Sequence, residues 1–325
     1  MTALALGIVG FGIMGERLLT QALPHPDFRL AAVWDPSPDA AARLAAVDPA
    51  LRMSGSAADV IAACDVLYIA APPAAHVPLA RAALLAGKAV FLEKPLATDL
   101  AEAEAFVAEA EAMGARAAVN FPMASSPAVA QLNTWREQIG APQRLEIGTH
   151  FARWPRGWQS DAATWLSRRA EGGFTREVVS HFLFLARRQL GPLQLLSANV
   201  TYPGGDMAET AISAELRAGG LPLALRGSVG RIAEEEDHAW TLTAESGAIR
   251  LRNWSLAEQL GADGGWHTAA DALPNEKMRP LTLRGQMDKL AALARGEPSS
   301  LATLREALDV QRIVEAILAS RSPAA

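Results

Sequence analysis

Glu177 and His181 stand four residues apart in "TREVVSHFLFLARRQLG", a segment whose apolar residues recur with the spacing of a helix. Residues at positions i and i+4 share one helical face, so both side chains can point into one cleft. A histidine titrates near neutral pH and can exchange a proton with a substrate oxygen. We predict that His181 is an acid/base group and that Glu177 orients it or the substrate. The alternative is a core histidine with Glu177 as its salt partner.

A lysine stands at the end of an apolar run in "AVFLEKPLA", residues 89 to 97. Open sheets of parallel strands bind ligands outside the carboxyl ends of their strands, and Pro95 stiffens the chain directly after Lys94. We predict that Lys94 faces a ligand and that its positive charge favours a developing alkoxide. The alternative is an ordinary surface lysine.

Three glycines, Gly10, Gly12 and Gly15, lie between the first apolar run and a helical pattern in "GIVGFGIMGERL". This spacing suits a tight turn, close approach of the backbone to a pyrophosphate, and close packing of helix on strand. Asp35 follows twenty residues after Gly15 and ends the second apolar run, where its carboxylate can bind adenosine ribose hydroxyls. We predict a dinucleotide site. The alternative is an ordinary turn, with Asp35 as a helix cap.

Asp35 also bears on which dinucleotide binds. A carboxylate repels a 2′-phosphate, and neither Arg nor Lys follows in "DPSPDAAA". We therefore predict NAD as the cofactor, with NADP possible if a more distant cation compensates.

Residues 1–120 alternate short apolar runs with Ala-rich segments of helical period, which is typical of a doubly wound α/β domain with a parallel sheet. Its predicted strands are "LALGIVGF", "RLAAVWD", "VLYIAA", "AVFLEK" and "RAAVNF".

Residues 121–325 have a different pattern, of alternating or apolar runs separated by turn residues, which predicts an α+β domain with an open, mostly antiparallel sheet. One helix interrupts it early, with Thr175 as its predicted cap and Gly191 as its stop. The acidic run "EEED" at 234 to 237 is interpreted as a solvated loop. Helical patterns occupy "TLRGQMDKLAALARG" and "ATLREALDVQRIVEAILAS", and the second could pack back on the first domain.

The composition narrows the class of protein. Half of the 325 residues are apolar and the formal net charge is −5, which gives no basic surface for nucleic acid or anionic membrane. No apolar run is long enough to cross a bilayer, and no signal-like segment precedes the first strand, so we expect a cytoplasmic protein with a small-molecule substrate. Cys64, the single cysteine, lies in an apolar stretch and is expected to be buried and inert. We predict no metal site.

Three stretches of this sequence, "GFGIMG", "APPAAHVPLARAALLAGKAVFLEKPLA" and "GGFTREVVSH", resemble the glucose-fructose oxidoreductase, inositol dehydrogenase and MocA family, and "LATLREALDVQRIVEAILAS" resembles its C-terminal helix. The resemblance implies a Rossmann domain, an open-sheet domain, and a nicotinamide ring between the two. It also implies that Lys94 touches cofactor and substrate, often beside a cis proline bond, and that the chain forms a homodimer or homotetramer. The predicted cofactor-binding residues are Gly10, Phe11, Gly12, Ile13, Met14, Gly15, Asp35, Ala71, Pro72, His76, Glu93, Lys94 and Asn120. For His76, the alternative is that it merely begins a helix.

This sequence departs from the family pattern on the substrate side. Phe184 stands where an aspartate is usual, and "NFPMASSP" keeps Asn120 and Pro127 but lacks the usual arginine. A polyol needs several buried hydrogen-bonding groups, so these changes favour a less polar or carboxylated substrate as well as a sugar-like one. The tryptophans and arginines of "HFARWPRGWQSDAATWLSRRAEGG" could wall and clamp such a substrate, unless they pack the interface or face solvent. The predicted substrate-binding residues are Arg153, Trp154, Arg156, Trp158 and Trp165.

These observations predict an NAD(P)-dependent oxidoreductase that moves a hydride between nicotinamide and a secondary alcohol or its carbonyl. The substrate would be sugar-like, a cyclic polyol, or an aromatic or carboxylated compound. Three alternatives stay open: an imine reductase of the same fold, an NAD-dependent glycoside hydrolase, and a non-catalytic dinucleotide-sensing protein. The loss of polar positions such as 184 disfavours the hydrolase, and the joint presence of Lys94, Glu177 and His181 disfavours the sensor.

Overall fold

The computed structural model describes residues 2–320. The chain forms two compact units. The first extends to Ser125 and includes Pro280–Leu308, and the second comprises Ser126–Arg279 and the chain from Asp309.

The first unit is built on a sheet of five parallel strands in the order β2-β1-β3-β4-β5. Val, Ile, Leu and Phe side chains fill both faces of its central strands, as expected for a parallel sheet covered by helices. The predicted doubly wound parallel sheet is therefore confirmed. Its strands are β1 Leu4–Val9, β2 Phe28–Trp34, β3 Val66–Ile69, β4 Ala89–Leu92 and β5 Ala117–Val119.

Five helices accompany these strands. The helix of residues 57–63 gives little signal in the sequence, because its short apolar pattern runs directly into β3. Ser56 caps it by accepting a hydrogen bond from the backbone N–H of Asp59. The helices are α1 Ile13–Ala22, α2 Asp39–Val47, α3 Ala57–Ala63, α4 His76–Leu85 and α5 Leu100–Ala112.

The second unit contains an eight-stranded sheet in the order β13-β12-β11-β10-β6-β9-β8-β7. Only the β6–β9 pair is parallel, which confirms the prediction of a mostly antiparallel sheet. The last two strands in the chain give little signal in the sequence, because they are short and their apolar residues alternate poorly. The strands are β6 Pro142–Phe151, β7 Leu193–Thr201, β8 Ala211–Ala218, β9 Leu221–Val229, β10 Glu236–Ala244, β11 Gly247–Arg252, β12 Leu256–Leu260 and β13 Trp266–Thr268.

The second unit also has three helices, α6 Pro127–Arg136, α7 Ala163–Leu166 and α8 Ser180–Leu190. A π-helical turn, Thr175–Val179, leads directly into α8. Gly191 ends α8 at φ 111°, as predicted. Thr175 is not the cap: it lies inside the helical turn, and its backbone N–H donates instead to the Glu209 carboxylate at 2.8 Å.

Two helices complete the chain, α9 Asn275–Ala294 and α10 Leu304–Ala319. Both cross from one unit to the other along the chain, at Arg279/Pro280 and at Leu308/Asp309. No helix among residues 2–320 is long and apolar enough to span a bilayer.

Candidate functional site

The glycine turn after β1 has the shape that a pyrophosphate requires. A Cβ on Gly10, at φ 94°, would lie 2.4 Å from the backbone of Ala70 and Ala71, and one on Gly15 would lie 2.3 Å from the Gly10 carbonyl oxygen. Gly12 has nothing within 4 Å of such an atom and precedes α1 without a side-chain cap. The N-terminus of α1 is therefore open to an anion, with Ile13 and Met14 in its first turn. These residues fit a dinucleotide.

Asp35 holds the same turn from the end of β2. Its carboxylate accepts hydrogen bonds from the backbone N–H groups of Phe11 at 2.6 Å and Ser37 at 2.8 Å. Arg43, on α2, donates to the Phe11 carbonyl oxygen at 3.2 Å. The sequence prediction missed Arg43, because it stands eight residues beyond Asp35 and is brought to the turn only by α2. A guanidinium therefore lies on the turn that Asp35 anchors.

Lys94 follows β4, and Glu93 beside it is anchored in the protein interior. The Glu93 carboxylate accepts hydrogen bonds from the Tyr68 hydroxyl at 2.5 Å and the Asn120 amide at 2.6 Å. Gln286 of α9 in turn donates to the Asn120 side-chain oxygen at 2.6 Å. Burial and the charge of Glu93 raise the pKa of Tyr68 well above its usual value, so its hydroxyl remains a donor. Glu93 and Asn120 are thus brought together in a buried network, and the prediction missed Tyr68 and Gln286.

His76 contacts the residue that directly follows Lys94 in the chain. It is fully buried as the first residue of α4, with Nδ1 2.7 Å from the Pro95 carbonyl oxygen and Nε2 2.8 Å from the Ala71 carbonyl oxygen. It therefore joins the loop of Ala71 and Pro72, after β3, to the turn after β4. The Lys94–Pro95 peptide bond is cis, as the resemblance implied.

In the second unit, Glu177 and His181 belong to one cluster of polar and aromatic side chains. Glu177 lies in the π-helical turn, and its Oε1 accepts from Gln159 at 3.2 Å. His181 is the second residue of α8 and is 8% exposed. The Trp254 ring meets the His181 ring edge-on, with 5.4 Å between centroids. The structure thus gives the predicted acid/base pair a common, mostly buried setting.

Arg156 is a buried member of this cluster and contacts several of its polar side chains. It is 7% exposed, and its guanidinium lies 3.2 Å from Glu236 Oε2 and 3.7 Å from Glu177 Oε1, while Nε donates to Gln159 at 2.9 Å. Its charge and donors are therefore directed to protein groups, and it positions Glu177. Trp158 stacks on this guanidinium at 4.6 Å and keeps 41% of its surface exposed.

Of the other predicted substrate residues, Trp154 lies with its ring centre 5.8 Å from the Arg156 guanidinium carbon. Trp154 donates to the Leu166 carbonyl oxygen at 3.0 Å and packs on Phe151 and Phe174, as a core residue does. Arg153 is exposed, and Trp165 is half-buried on α7. Phe184 is fully buried.

Glu236 is the clearest correction to the sequence prediction. The acidic run was interpreted as a solvated loop, but Glu236 begins β10 and is half-buried, with Oε2 3.3 Å from His238 Nε2. Burial alone would raise the pKa of Glu236; His238 and Arg156 outweigh it and lower the pKa to about 2. Pairing of β10 with β6 produces this placement, which the run of charges does not signal.

Trp254 is a second residue of this cluster that the sequence prediction did not include. It follows β11 at φ 73°, next to Asn253 at φ 43°, a conformation that L residues rarely adopt. Its indole N–H donates to Glu236 Oε1 at 3.0 Å, and Asn253 Oδ1 accepts from the His238 backbone N–H at 2.8 Å. Such strain persists where surrounding contacts impose it, and here it places an indole beside His181.

Close packing explains why two glycines, Gly172 and Gly173, precede the π-helical turn. A Cβ on Gly172 would lie 2.3 Å from the Leu166 carbonyl oxygen, and one on Gly173, at φ 96°, would lie 2.3 Å from the Glu209 carboxylate. Glu209 is 2% exposed, and burial raises its pKa. The glycines therefore let this carboxylate reach the N-terminus of the segment that carries Glu177 and His181.

Comparisons with known proteins agree with this description. Residues 4–121 match the sequence model of a family described as an oxidoreductase family with an NAD-binding Rossmann fold. Inositol 2-dehydrogenase of Cereibacter sphaeroides is 39% identical over 117 residues, which are 35% of this chain and 34% of that enzyme. The alignment thus spans about a third of the relative's length.

Solved structures match over nearly the whole chain. A putative myo-inositol dehydrogenase from Sinorhizobium meliloti gives a TM-score of 0.77 at 20% identity, covering 98% of this chain and 97% of that one. An oxidoreductase from Agrobacterium radiobacter, in complex with NAD+, L-tartaric acid and magnesium, gives 0.80 at 19% identity, covering 97% and 95%. At these identities the matches show a common fold.

Proposed function

Residues 4–121 place this chain in the glucose-fructose oxidoreductase, inositol dehydrogenase and MocA family, which has an NAD-binding Rossmann fold. On this premise we propose that the protein is an NAD(P)-dependent oxidoreductase. It moves a hydride between the nicotinamide ring and a secondary alcohol or its carbonyl. The observation that carries this proposal lies in the first unit. Strands β1 and β4 are parallel members of one sheet, so the glycine turn and Lys94 follow the carboxyl ends of strands at the same sheet edge.

The dinucleotide, when bound, supplies a hydride acceptor or donor at nicotinamide C4. His181 takes the hydroxyl proton of the substrate during oxidation and returns it during reduction. Lys94 supplies positive charge to the substrate oxygen, which favours the alkoxide as the proton leaves. Glu177, held by Gln159 and Arg156, orients the substrate or His181. This scheme requires Lys94 and His181 to act on one substrate.

The test compares binding with turnover. A panel of sugars, inositols and aromatic hydroxy acids is screened for NAD+ reduction by NADH absorbance, and the best substrate is used for variants. Lys94→Met and His181→Asn should lower turnover by about 10²- to 10⁴-fold while NADH still binds. Lys277→Met and His267→Asn, at exposed positions, are matched controls and should keep wild-type turnover. Unchanged turnover in both site variants would refute the assigned roles.

We also propose a cytoplasmic homodimer or homotetramer that associates through the open face of the eight-stranded sheet, since an open sheet face calls for cover. Light scattering that detects only monomer would contradict this assembly.

A further inference from the structure

The carboxylate of Glu236 uses both of its oxygens in the cluster that contains Glu177 and His181. Its Oε1 accepts a hydrogen bond from the Trp254 indole N–H at 3.0 Å. Its Oε2 accepts one from the Arg156 guanidinium at 3.2 Å. An indole and a guanidinium can only donate, and a carboxylate offers two acceptor oxygens where an amide offers one. Glu236 is therefore suited to bind both donors at once.

The first oxygen leads to His181. The Trp254 ring lies 5.4 Å from the His181 ring, centroid to centroid, with 75° between the ring planes. Trp254 has a φ of 73°, and a large L residue keeps such a conformation only where surrounding contacts impose it. The indole hydrogen bond to Glu236 is one of these contacts. Glu236 thus helps to fix the ring that lies beside His181.

The second oxygen leads to Glu177. Arg156 Nε donates to Gln159 Oε1 at 2.9 Å, and Gln159 Nε2 donates to Glu177 Oε1 at 3.2 Å. Arg156 and Gln159 are 7% and 4% exposed, so water does not compete strongly for these hydrogen bonds. The Arg156 guanidinium lies closer to Glu236, at 3.2 Å, than to Glu177, at 3.7 Å. Without Glu236 the guanidinium would be drawn to Glu177 and would displace that carboxylate.

We propose that Glu236 is a positioning residue of the reaction and fixes the relative geometry of Glu177 and His181. It acts on His181 through Trp254 and on Glu177 through Arg156. This inference rests on the proposed function, in which His181 exchanges the substrate proton and Glu177 orients it. A displacement of about 1 Å at a reacting group is enough to slow turnover about 100-fold. The geometry of two groups on one helical segment therefore depends on a residue at the start of β10.

NMR of the His181 ring tests the first path without any turnover. Protein labelled with ring-¹³C histidine gives a set of signals for each of its six histidines, and the His181 set is the one absent from His181→Asn. The ring current of Trp254 acts on these signals, so Glu236→Gln and Trp254→Phe should each move them. If Glu236 acts through Trp254, the double variant should show no further displacement beyond Trp254→Phe. Glu234→Gln, at an exposed position of the same acidic run, changes the net charge equally and should leave the signals in place.

Kinetics tests both paths with the best substrate of the screen. Glu236→Gln should lower kcat about 10- to 100-fold, because its amide can keep only one of the two donors. It should change KM and NADH affinity by less than about threefold, since Glu236 acts on the reacting groups and not on ligand binding. Gln159→Leu interrupts the second path alone and should lower kcat in its own right while the His181 signals stay in place. Glu234→Gln should keep the wild-type kcat.

NADH affinity and thermal stability show whether each variant is folded, and Trp254→Phe leaves the Glu236 charge in place if Glu236→Gln proves too unstable. Unmoved His181 signals in both Glu236→Gln and Trp254→Phe would overturn the proposal, as would a wild-type kcat in Glu236→Gln. Failure of the proposed function has a different result, which is full turnover in His181→Asn. The His181 signals are read without substrate, so the two failures are distinguishable.

Discussion

His76 Nδ1 lies 2.7 Å from the carbonyl oxygen of Pro95, and the opposite ring nitrogen lies 2.8 Å from the carbonyl oxygen of Ala71. One buried imidazole thus lies between the loop after β3 and the turn after β4 and contacts both. Burial lowers the pKa of His76, so the ring is neutral and its single N–H donates to one of the two carbonyl oxygens. Replacing it with Phe removes that donor, and a buried carbonyl left without a partner costs about 1 to 3 kcal/mol. We expect His76→Phe to lower the free energy of unfolding in urea by about 1 to 3 kcal/mol.

Gln supplies two N–H groups and is the matched variant for this position. His76→Gln should lose clearly less stability than His76→Phe. Equal losses in the two variants would show that packing of the ring, rather than its hydrogen bonds, holds the turns.

We expect Asp35 and Arg43 to act in opposite directions on the choice between NAD and NADP. The carboxylate repels a 2′-phosphate, whereas the guanidinium, bonded to the Phe11 carbonyl oxygen, attracts it. We expect Asp35→Asn to shift the ratio of NADPH to NADH affinity upward by about tenfold, or roughly 1.4 kcal/mol. Arg43→Gln should lower NADPH affinity and leave NADH affinity nearly unchanged. Fluorescence titration with both reduced cofactors measures these ratios, and a loss of NADH affinity alone in Arg43→Gln would contradict the assignment.

Glu236 should make the free energy of unfolding depend on pH in the acidic range. Its pKa is lowered from 4.5 to about 2, so its contribution is complete above pH 4.5 and is lost as pH falls through about 2. Glu236 faces Arg156 and His238, with the charge of Arg279 nearby. Glu236→Gln should lose on the order of 2 to 3 kcal/mol at pH 7. That deficit should shrink at pH 3 in urea unfolding. A deficit that is the same at both values would mean that the Glu236 charge does not stabilise the fold.

Cys64 should be unreactive in the native protein. The thiol is buried, and burial raises its pKa to about 11, so the nucleophilic thiolate is scarce at neutral pH. Native protein should therefore take up almost no Ellman's reagent, while protein unfolded in guanidinium should take up one equivalent. Rapid labelling of the native protein would show that α3 opens readily around this residue.

Local patterns in the sequence were enough to predict the two sheets, most helices and the glycine turn. The spacing of apolar residues repeats every two residues in a strand and every three to four in a helix, so neighbouring residues alone carry that information. The turn at Gly10 is equally local, because its shape excludes a Cβ at that position. The resemblance to the family singled out Glu177 and His181, and their spacing of four residues along one helical segment independently predicts a common face.

Contacts between distant parts of the chain were decided only by the tertiary structure. Pairing of β10 with β6 moves Glu236 from an apparently solvated acidic run to a place beside Arg156. Trp254 reaches His181 across more than seventy residues, and His76 meets Pro95 only when β3 and β4 lie side by side. Register and packing set these distances, and neither has a periodic signature in the residues themselves. The sequence therefore determined which elements form, and the fold decided which charges and rings they bring together.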